Sequence, residues 1–245
     1  MNRVLAVIPA RLASTRLPRK VLLDRTGKPL IQHVWEGARA SVGIDKLVVA
    51  TDAQEVAAAV RAFGGEAVMT SPACASGTDR VAEAAVACPG FELVVNVQGD
   101  EPEMTKEPLQ ALIAGMKAKP AAEMGTVAVP WPQGVPAHEP GFVKVVIDRD
   151  GWALYFSRST IPFYRSMPAG GPRYWKHVGL YAYKAAFLQK FASLAPSALE
   201  LAEGLEQLRA LESGHRIAVF DTQYSGNEVN TPEDYEAFVR RHNAN

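Results

Sequence analysis

Short apolar runs alternate with segments of helical periodicity in the first half of the chain. The pattern predicts strands over 4–8, 46–50, 67–69 and 93–97, and helices over 30–40, 54–63 and 106–117. A further alanine-rich helix is predicted to end near Cys88, and Thr51 and Asp52 are candidate caps for helix 54–63. Strands that alternate with helices at this spacing indicate βαβ units and a parallel sheet.

The pattern changes after residue 130. Residues 130–141 contain four prolines and two glycines, which is typical of a loop or a boundary. Strands are then predicted over 142–148, 153–157, 177–183 and 217–220, and helices over 199–211 and 233–242. In helix 199–211, the predicted core stripe is Leu201, Leu205, Leu208 and Leu211.

These elements predict an α/β fold with a mostly parallel central sheet flanked by helices. The length of 245 residues allows one large domain or two small ones. We expect a single domain over 1–245, with an antiparallel elaboration over 131–184.

Composition excludes several classes of protein. The 26 Lys and Arg residues balance 26 Asp and Glu, which argues against a general nucleic-acid binder. Two cysteines, Cys74 and Cys88, cannot form a disulfide framework and lack metal-ligand spacing, so inert thiols in a reducing compartment are expected. With no signal peptide and no membrane-length apolar run visible, we expect a cytoplasmic protein with no membrane partner.

Cationic and hydroxyl side chains follow the first strand, over residues 10–20. Ligands bind at the carboxyl ends of strands in open α/β sheets, and Arg, Lys and Ser side chains suit a polyphosphate there. A solvated basic loop would have the same composition, so both interpretations remain open. The absence of G-x-x-x-x-G-K-[ST], and of G-x-G-x-x-G after this strand, disfavours a P-loop NTPase and a simple NAD dehydrogenase.

Two further segments carry candidate chemistry at strand or helix ends. Asp100 follows the strand 93–97 and is placed to hold a hard cation such as Mg²⁺, although it could instead cap the next helix with Glu101. Gly99 before it would permit a close backbone approach. Ser76 or Thr78 is expected to cap a helix, with Glu83 in the following turn, and a helix N-terminus also binds anions.

The strand 177–183 alternates His177, Gly179, Tyr181 and Tyr183 on one face. A sugar-acid pocket mixes polar and aromatic groups in this way. A half-buried strand with satisfied polar groups is the competing interpretation.

Several of these stretches together resemble 3-deoxy-manno-octulosonate cytidylyltransferases (CMP-KDO synthetases). The resemblance extends from Ile8 to Asp234 and is carried by the motifs IPAR, ASTRLP followed by Lys20, SGTDR, VNVQGDEP, ALYFSR, HVGLYAY, LEQLR and VNTPED. It implies a Rossmann-like nucleotidyltransferase fold and a homodimer, with the elaboration over 131–184 serving sugar binding or dimerisation. It also implies Mg²⁺-dependent transfer of CMP from CTP to KDO with release of pyrophosphate, for lipopolysaccharide biosynthesis.

The resemblance assigns roles to individual residues. The implied catalytic residues are Arg11, Arg16, Lys20 and Asp100. The implied nucleotide contacts are Ala10, Arg11, Ser14, Lys20, Ser76, Gly77, Arg80 and Gln98. The implied sugar contacts are Gln98, Arg158, His177, Tyr181, Glu206 and Gln207, with Arg158 facing the substrate carboxylate. For Glu206 and Gln207, an exposed helical face is the competing interpretation.

Two positions depart from the family pattern. Asn230 stands where the family has an Asp that is expected to bind Mg²⁺ beside Asp100, and an amide oxygen brings no charge to the metal. Three explanations remain open: Glu228 substitutes as a ligand, the change was made to slow the enzyme, or Asn suffices because CTP supplies negative charge. Arg19 stands where the family usually has Gly.

The sugar and the class of protein have alternatives. The motifs also fit the subgroup that uses the 8-amino analogue of KDO. The rival interpretations are a CMP-sialic acid synthetase-like or other sugar nucleotidyltransferase, a CTP-binding protein without turnover because of Asn230, and a dinucleotide-dependent oxidoreductase.

Overall fold

The computed structural model describes residues 3–14, 16–224 and 226–244; Thr15 of the basic loop lies outside them. Its residue contacts form two compact units, Met1–Gln110 with Tyr224–Asn245, and Ala111–Gln223. The single domain over 1–245, with its elaboration over 131–184, stays a prediction. Within the described residues, no helix has both the length and the apolar character needed to cross a membrane.

The first unit contains four parallel strands: β1 (Val4–Pro9), β2 (Lys46–Thr51), β3 (Glu66–Met69) and β4 (Leu93–Asn96). Their order is β3-β2-β1-β4, and each neighbouring pair is parallel. Residues 4–8 are fully buried, as expected for a strand covered on both faces. The predicted parallel sheet is confirmed, and its strands end at one edge.

Helices α1 (Leu30–Arg39), α2 (Gln54–Ala62), α3 (Gly77–Ala87) and α8 (Pro232–Asn243) also belong to this unit, and α4 (Lys106–Ala118) follows β4. The predicted cap of α2 is wrong, because its N-cap residue is Ala53 and no side chain caps it. Asp52 instead pairs with Arg80. Ser76 caps α3 as expected, but Asp79 completes the capping box rather than Glu83.

The second unit contains β5 (Met124–Pro130), β6 (Lys144–Ile147), β7 (Ala153–Ser157), β8 (Trp175–Lys184) and β9 (Ile217–Asp221). Strand β8 pairs antiparallel with β5, and β6 pairs antiparallel with β7, whereas β5 and β9 are parallel. The expected antiparallel part is therefore present. The sequence interpretation missed β5, whose apolar run leads directly into the proline-rich segment.

Between β8 and β9 the structure describes three helices: α5 (Ala185–Ser193), which was not predicted, α6 (Ala198–Glu203) and α7 (Leu208–Glu212). The predicted continuous helix 199–211 is wrong, because Gly204 has φ 62° and ends α6 in a left-handed cap. The break changes the predicted core stripe. Leu205 and Leu208 are buried, but Leu201 is 73% exposed.

Candidate functional site

A cleft lies at the carboxyl edge of the parallel sheet in the first unit. The predicted residues that line it are Arg11, Ser14, Arg16, Lys20, Ser76, Gly77, Arg80, Gln98, Asp100 and Asn230. Sequence reasoning did not assign the other lining residues, which are Pro9, Val21, Cys74, Ala75 and Gly99. The lining contains four cationic side chains and one carboxylate, so the cleft favours a polyanion.

Ala10 differs from the other predicted nucleotide contacts. It is buried with 1% exposure, and its N–H donates to the carbonyl of Ala50 at 2.8 Å. Its backbone amide is therefore committed to the β1–β2 edge, and a nucleotide contact at Ala10 stays a prediction.

The close packing of β1 and β4 places Asp100 in the cleft. A Cβ atom at Gly99 would lie 2.6 Å from the carbonyl oxygen of Pro9, so only glycine fits without a shift. The N–H of Val97 donates to Val7 at 2.9 Å and continues the pairing up to this point. The close backbone approach expected at Gly99 is confirmed, with β1 as the neighbour.

Hydrogen bonds attach Tyr224 and the segment 226–231 to the end of β4. The Val229 N–H donates to the Asp100 carbonyl at 2.8 Å, and the Tyr224 hydroxyl donates to Glu101 Oε2 at 2.8 Å. Glu101 is 2% exposed, and burial together with this carboxylate raises the pKa of Tyr224. No local pattern indicates the Tyr224–Glu101 pair, which helps to hold Asn230 beside Asp100.

Lys20 places one positive charge against two oxygens of the cleft. Its Nζ lies 3.0 Å from Asp100 Oδ2 and 3.5 Å from Asn230 Oδ1. Arg16 Nη2 donates to the same Asn230 oxygen at 3.0 Å. Because a carboxylate and an amide oxygen converge on one ammonium, the pair fits a hard cation that prefers oxygen ligands, such as Mg²⁺.

Glu228 is adjacent to this arrangement. Its Oε2 accepts a hydrogen bond from Asn230 Nδ2 at 2.8 Å. The expected proximity of Glu228 to Asn230 is therefore present, and the side-chain amide of Asn230 is a partner of this carboxylate.

Arg80 reaches the cleft from α3. It is 4% exposed, donates to Thr70 Oγ1 at 2.6 Å and lies 3.2 Å from Asp52 Oδ2. These contacts hold a buried guanidinium beside the N-terminus of α3, where the helix also favours negative charge.

Cys74 lies at the same side of the cleft. Its Sγ donates to Glu83 Oε2 at 3.1 Å, and burial and this carboxylate raise the thiol pKa to about 11. The thiol is therefore protonated at neutral pH, in agreement with the expected inert cysteine.

In the second unit, backbone carbonyls surround the guanidinium of Arg158. Its Nε donates to Glu203 at 2.7 Å, its Nη1 to Pro140 at 3.0 Å and its Nη2 to Gly204 at 3.3 Å. Arg158 thus lies next to the chain that leads into Glu206 and Gln207. Its predicted contact with a substrate carboxylate stays a prediction.

Gln207 does not lie on an exposed helical face. It is 4% exposed, and its Nε2 has no hydrogen-bond partner within residues 3–14, 16–224 and 226–244. A buried donor of this kind costs free energy unless a ligand or water accepts from it. The competing interpretation of a solvated helical face is therefore wrong for Gln207.

His177 is a neutral hydrogen-bonding group. Burial, with a smaller contribution from Lys176, lowers its pKa to about 3. Thr126 Oγ1 donates to the Leu180 carbonyl at 2.8 Å, so it accepts from the His177 Nε2–H at 3.0 Å. The rings of His177 and Tyr181 are 5.4 Å apart, which confirms that the two residues lie together.

Three comparisons connect this chain to known proteins. The family model described as cytidylyltransferase matches residues 5–217. A 3-deoxy-manno-octulosonate cytidylyltransferase of Syntrophobacter fumaroxidans is 47% identical over 239 residues, which is 97% of this chain and 96% of that protein.

Solved structures give the same result. A CMP:2-keto-3-deoxy-manno-octonic acid synthetase complexed with CTP matches with a TM-score of 0.93 and 42% identity over 99% of both chains. A 4-diphosphocytidyl-2C-methyl-D-erythritol synthase from Anaerococcus prevotii matches with a TM-score of 0.62 and 14% identity. It covers 100% of this chain and 97% of its own, and it shares the fold alone.

Proposed function

Since the chain belongs to the 3-deoxy-manno-octulosonate cytidylyltransferase family, we propose that it transfers CMP from CTP to KDO and releases pyrophosphate. The observation that carries the proposal is the cleft in which cations and Asp100 meet at the strand ends. Such a cleft suits a triphosphate better than a neutral ligand. A sialic acid synthetase-like activity and the oxidoreductase alternative are not favoured by the family.

In the proposed reaction, the anomeric hydroxyl of the sugar attacks the α-phosphorus of CTP and releases its proton to solvent water. A new oxygen–phosphorus bond forms, the bond between the α-phosphorus and the oxygen that bridges to the β-phosphate breaks, and the electron pair of that bond leaves with pyrophosphate. In-line transfers of this kind depend on positioning and charge neutralisation. The cations Arg11, Arg16 and Lys20 would stabilise the triphosphate and the departing pyrophosphate.

We propose Mg²⁺ as the cofactor. The convergence of Asp100 and Asn230 on the Lys20 ammonium supports these two oxygens as its ligands. When bound, Mg²⁺ neutralises phosphate charge and favours deprotonation of the attacking hydroxyl. Lys20 would then exchange Asp100 for a phosphate oxygen.

For the sugar, we propose contacts from Arg158, His177, Tyr181, Glu206 and Gln207. The unpartnered Nε2 of Gln207 supports a role as donor to a hydroxyl. Because His177 is neutral, it would recognise hydroxyl groups by hydrogen bonds and not by charge. Gln98 lines the cleft, and its sugar contact is part of the proposal.

We also propose a cytoplasmic homodimer that acts in lipopolysaccharide biosynthesis, with the middle strands as the dimer interface. The strongly exposed apolar side chains of Leu154, Phe163 and Met167 support this location, because such groups often become buried in an interface. Sedimentation should give twice the mass of 26.5 kDa, and Phe163→Ser should shift the equilibrium toward monomer.

The decisive test is pyrophosphate release from CTP with KDO and Mg²⁺, with Asn230→Asp measured in parallel. We expect turnover from the chain as it stands. Turnover by the Asp variant alone would support a CTP-binding protein impaired at Asn230. Activity with the 8-amino sugar only would change the substrate, and inactivity of both chains with every sugar acid would reject the enzyme assignment.

A further inference from the structure

The side-chain amide of Asn230 lies between groups of opposite charge. Its Oδ1 accepts from Arg16 at 3.0 Å and from Lys20 at 3.5 Å. Its Nδ2 donates to Glu228 Oε2 at 2.8 Å. The oxygen therefore faces two cations, and the nitrogen faces a carboxylate.

This arrangement determines the orientation of the amide. Lys and Arg can only donate hydrogen bonds, and an ionised carboxylate can only accept them. A flipped amide would place its NH₂ group against Arg16 and Lys20, and its oxygen against Glu228. Every contact would then be repulsive, so the three charged groups select the orientation with Oδ1 toward Asp100 and Lys20.

Other contacts hold the main chain at this position. The Asn230 N–H donates to Asp234 Oδ2 at 3.0 Å, and the neighbouring Val229 N–H donates to Asp100. The backbone is therefore anchored independently of Glu228, which acts on the rotation and polarity of the amide.

We propose that Glu228 is a positioning residue for the metal site. It holds Asn230 Oδ1 toward the cation position, and through a charge-assisted hydrogen bond it makes this oxygen a stronger ligand. The inference rests on the proposed function, because it assumes that a metal replaces the Lys20 ammonium between Asp100 and Asn230. Glu228 thus supplies, from outside the ligand pair, negative charge that the amide lacks.

The proposal predicts that the effect of Glu228 on metal binding changes sign when residue 230 is changed from Asn to Asp. A residue with a merely structural role would not produce this change of sign. With Asn230, the carboxylate of Glu228 assists the ligand. With Asp at position 230, the same carboxylate would face another carboxylate at hydrogen-bond distance, and the two would repel each other. Removing the charge of Glu228 should therefore weaken metal binding when residue 230 is Asn. When residue 230 is Asp, the same change should leave metal binding unchanged or strengthen it.

The experiment is a double-mutant cycle read by Mn²⁺ binding to the CTP-loaded protein without sugar, measured by electron paramagnetic resonance. Glu228→Gln in the Asn230 background should raise the Mn²⁺ Kd by about tenfold, as loss of a group that orients a metal ligand does. Glu228→Ala should raise it further, because alanine also loses the acceptor. In the Asn230→Asp background, Glu228→Gln should leave the Kd unchanged or lower it.

Glu233→Gln is the matched control. Glu233 is exposed like Glu228, lies five positions after it in the chain and undergoes the same change of charge. It should leave the Mn²⁺ Kd within twofold. An equal effect of Glu228→Gln in both backgrounds, or an equal effect of Glu233→Gln, would overturn the proposal. CTP affinity without metal should not change among the Glu228 variants, which are at an exposed position.

An incorrect enzyme assignment and an incorrect role for Glu228 give different results. Wild-type protein without turnover on any sugar acid would reject the enzyme assignment, while the Mn²⁺ cycle would still report on Glu228 because it requires no turnover. With active protein, Glu228→Gln should raise the KM for Mg²⁺ more than it lowers kcat at saturating Mg²⁺.

Discussion

The cations of the cleft in the first unit, and Arg158 and Lys144 in the second unit, have different hydrogen-bond partners. In the cleft, Lys20 pairs with Asp100, and Arg80 pairs with Asp52. In the second unit, Arg158 donates to three backbone carbonyls. The fully buried Lys144 likewise donates to the carbonyls of Glu139 and Arg158, at 2.7 and 2.8 Å.

This difference determines what a ligand can change. An ion pair such as that of Lys20 with Asp100 can exchange one partner for a phosphate or a metal. A side chain that donates to several backbone carbonyls links segments of the main chain, so its removal loses those hydrogen bonds. We therefore expect substitutions in the cleft to affect activity more than stability, and substitutions in the second unit to affect stability as well.

The largest expected effect is that of Lys20→Met. Loss of a cation that stabilises the triphosphate should lower kcat by about 10²- to 10³-fold. Removal of the ammonium from Asp100 should also allow Mn²⁺ to bind more tightly in the absence of nucleotide. Pyrophosphate release and Mn²⁺ titration measure the two effects.

The stability of Lys20→Met tests whether the Lys20–Asp100 ion pair contributes to folding as well as to activity. Since Asp100 is 28% exposed, the free energy of unfolding should fall by about 1 kcal/mol or less. Lys28→Met, at a surface pair with Glu36, is the control and should retain activity. A large loss of stability in Lys20→Met would contradict the distinction between the two regions.

His177 predicts a pH dependence of stability in the second unit. Its folded pKa of about 3 is below its ordinary value of 6.5, so between these values the unfolded chain binds a proton that the folded chain does not. Stability is therefore lost as the pH falls below about 6.5. Between pH 7.5 and 5, His177 should cost about 2 kcal/mol of unfolding free energy.

Denaturant titrations of wild type and His177→Gln at several pH values measure this contribution. The variant should lose less stability than wild type on acidification, because it has no group to protonate at this position. Parallel pH profiles would show that His177 does not carry the acid sensitivity.

Arg158→Lys tests the carbonyl contacts of the second unit. One ammonium cannot reproduce three contacts that a planar guanidinium makes, so the free energy of unfolding should fall by about 1–2 kcal/mol. Thermal and denaturant unfolding measure the change. The same substitution at the exposed Arg165 should have no such effect, and equal stability of the two variants would contradict the argument.

The smallest expected effect is a gain in stability from Arg19→Gly. Arg19 has φ 57°, a left-handed conformation that favours glycine, and its ion pair with Glu55 is about half exposed. Relief of backbone strain should raise the free energy of unfolding by about 0.5–1 kcal/mol. Arg25→Gly, which removes a similar pair with Glu236 where φ is not positive, should lower it.

Local patterns predicted much of the first unit and less of the second. The buried run at 4–8 is apolar throughout, and the run at 93–97 is apolar except for Asn96, so their strands could be predicted without knowing their neighbours. Strand β5 and helix α5 were missed. The helix over 199–211 was predicted as continuous, although Gly204 takes a left-handed conformation that ends α6.

Apolar periodicity and motif residues are local properties, so the amino-acid order alone predicts the parallel α/β arrangement and the polar residues at the strand ends. Which of those polar groups meet depends on the folded chain. Lys20 contacts Asp100 across 80 positions and Asn230 across 210, and burial among neighbouring strands keeps His177 neutral. Ion pairing, amide orientation and desolvation depend on atoms brought together by folding, and for that physical reason the linear pattern could not specify them.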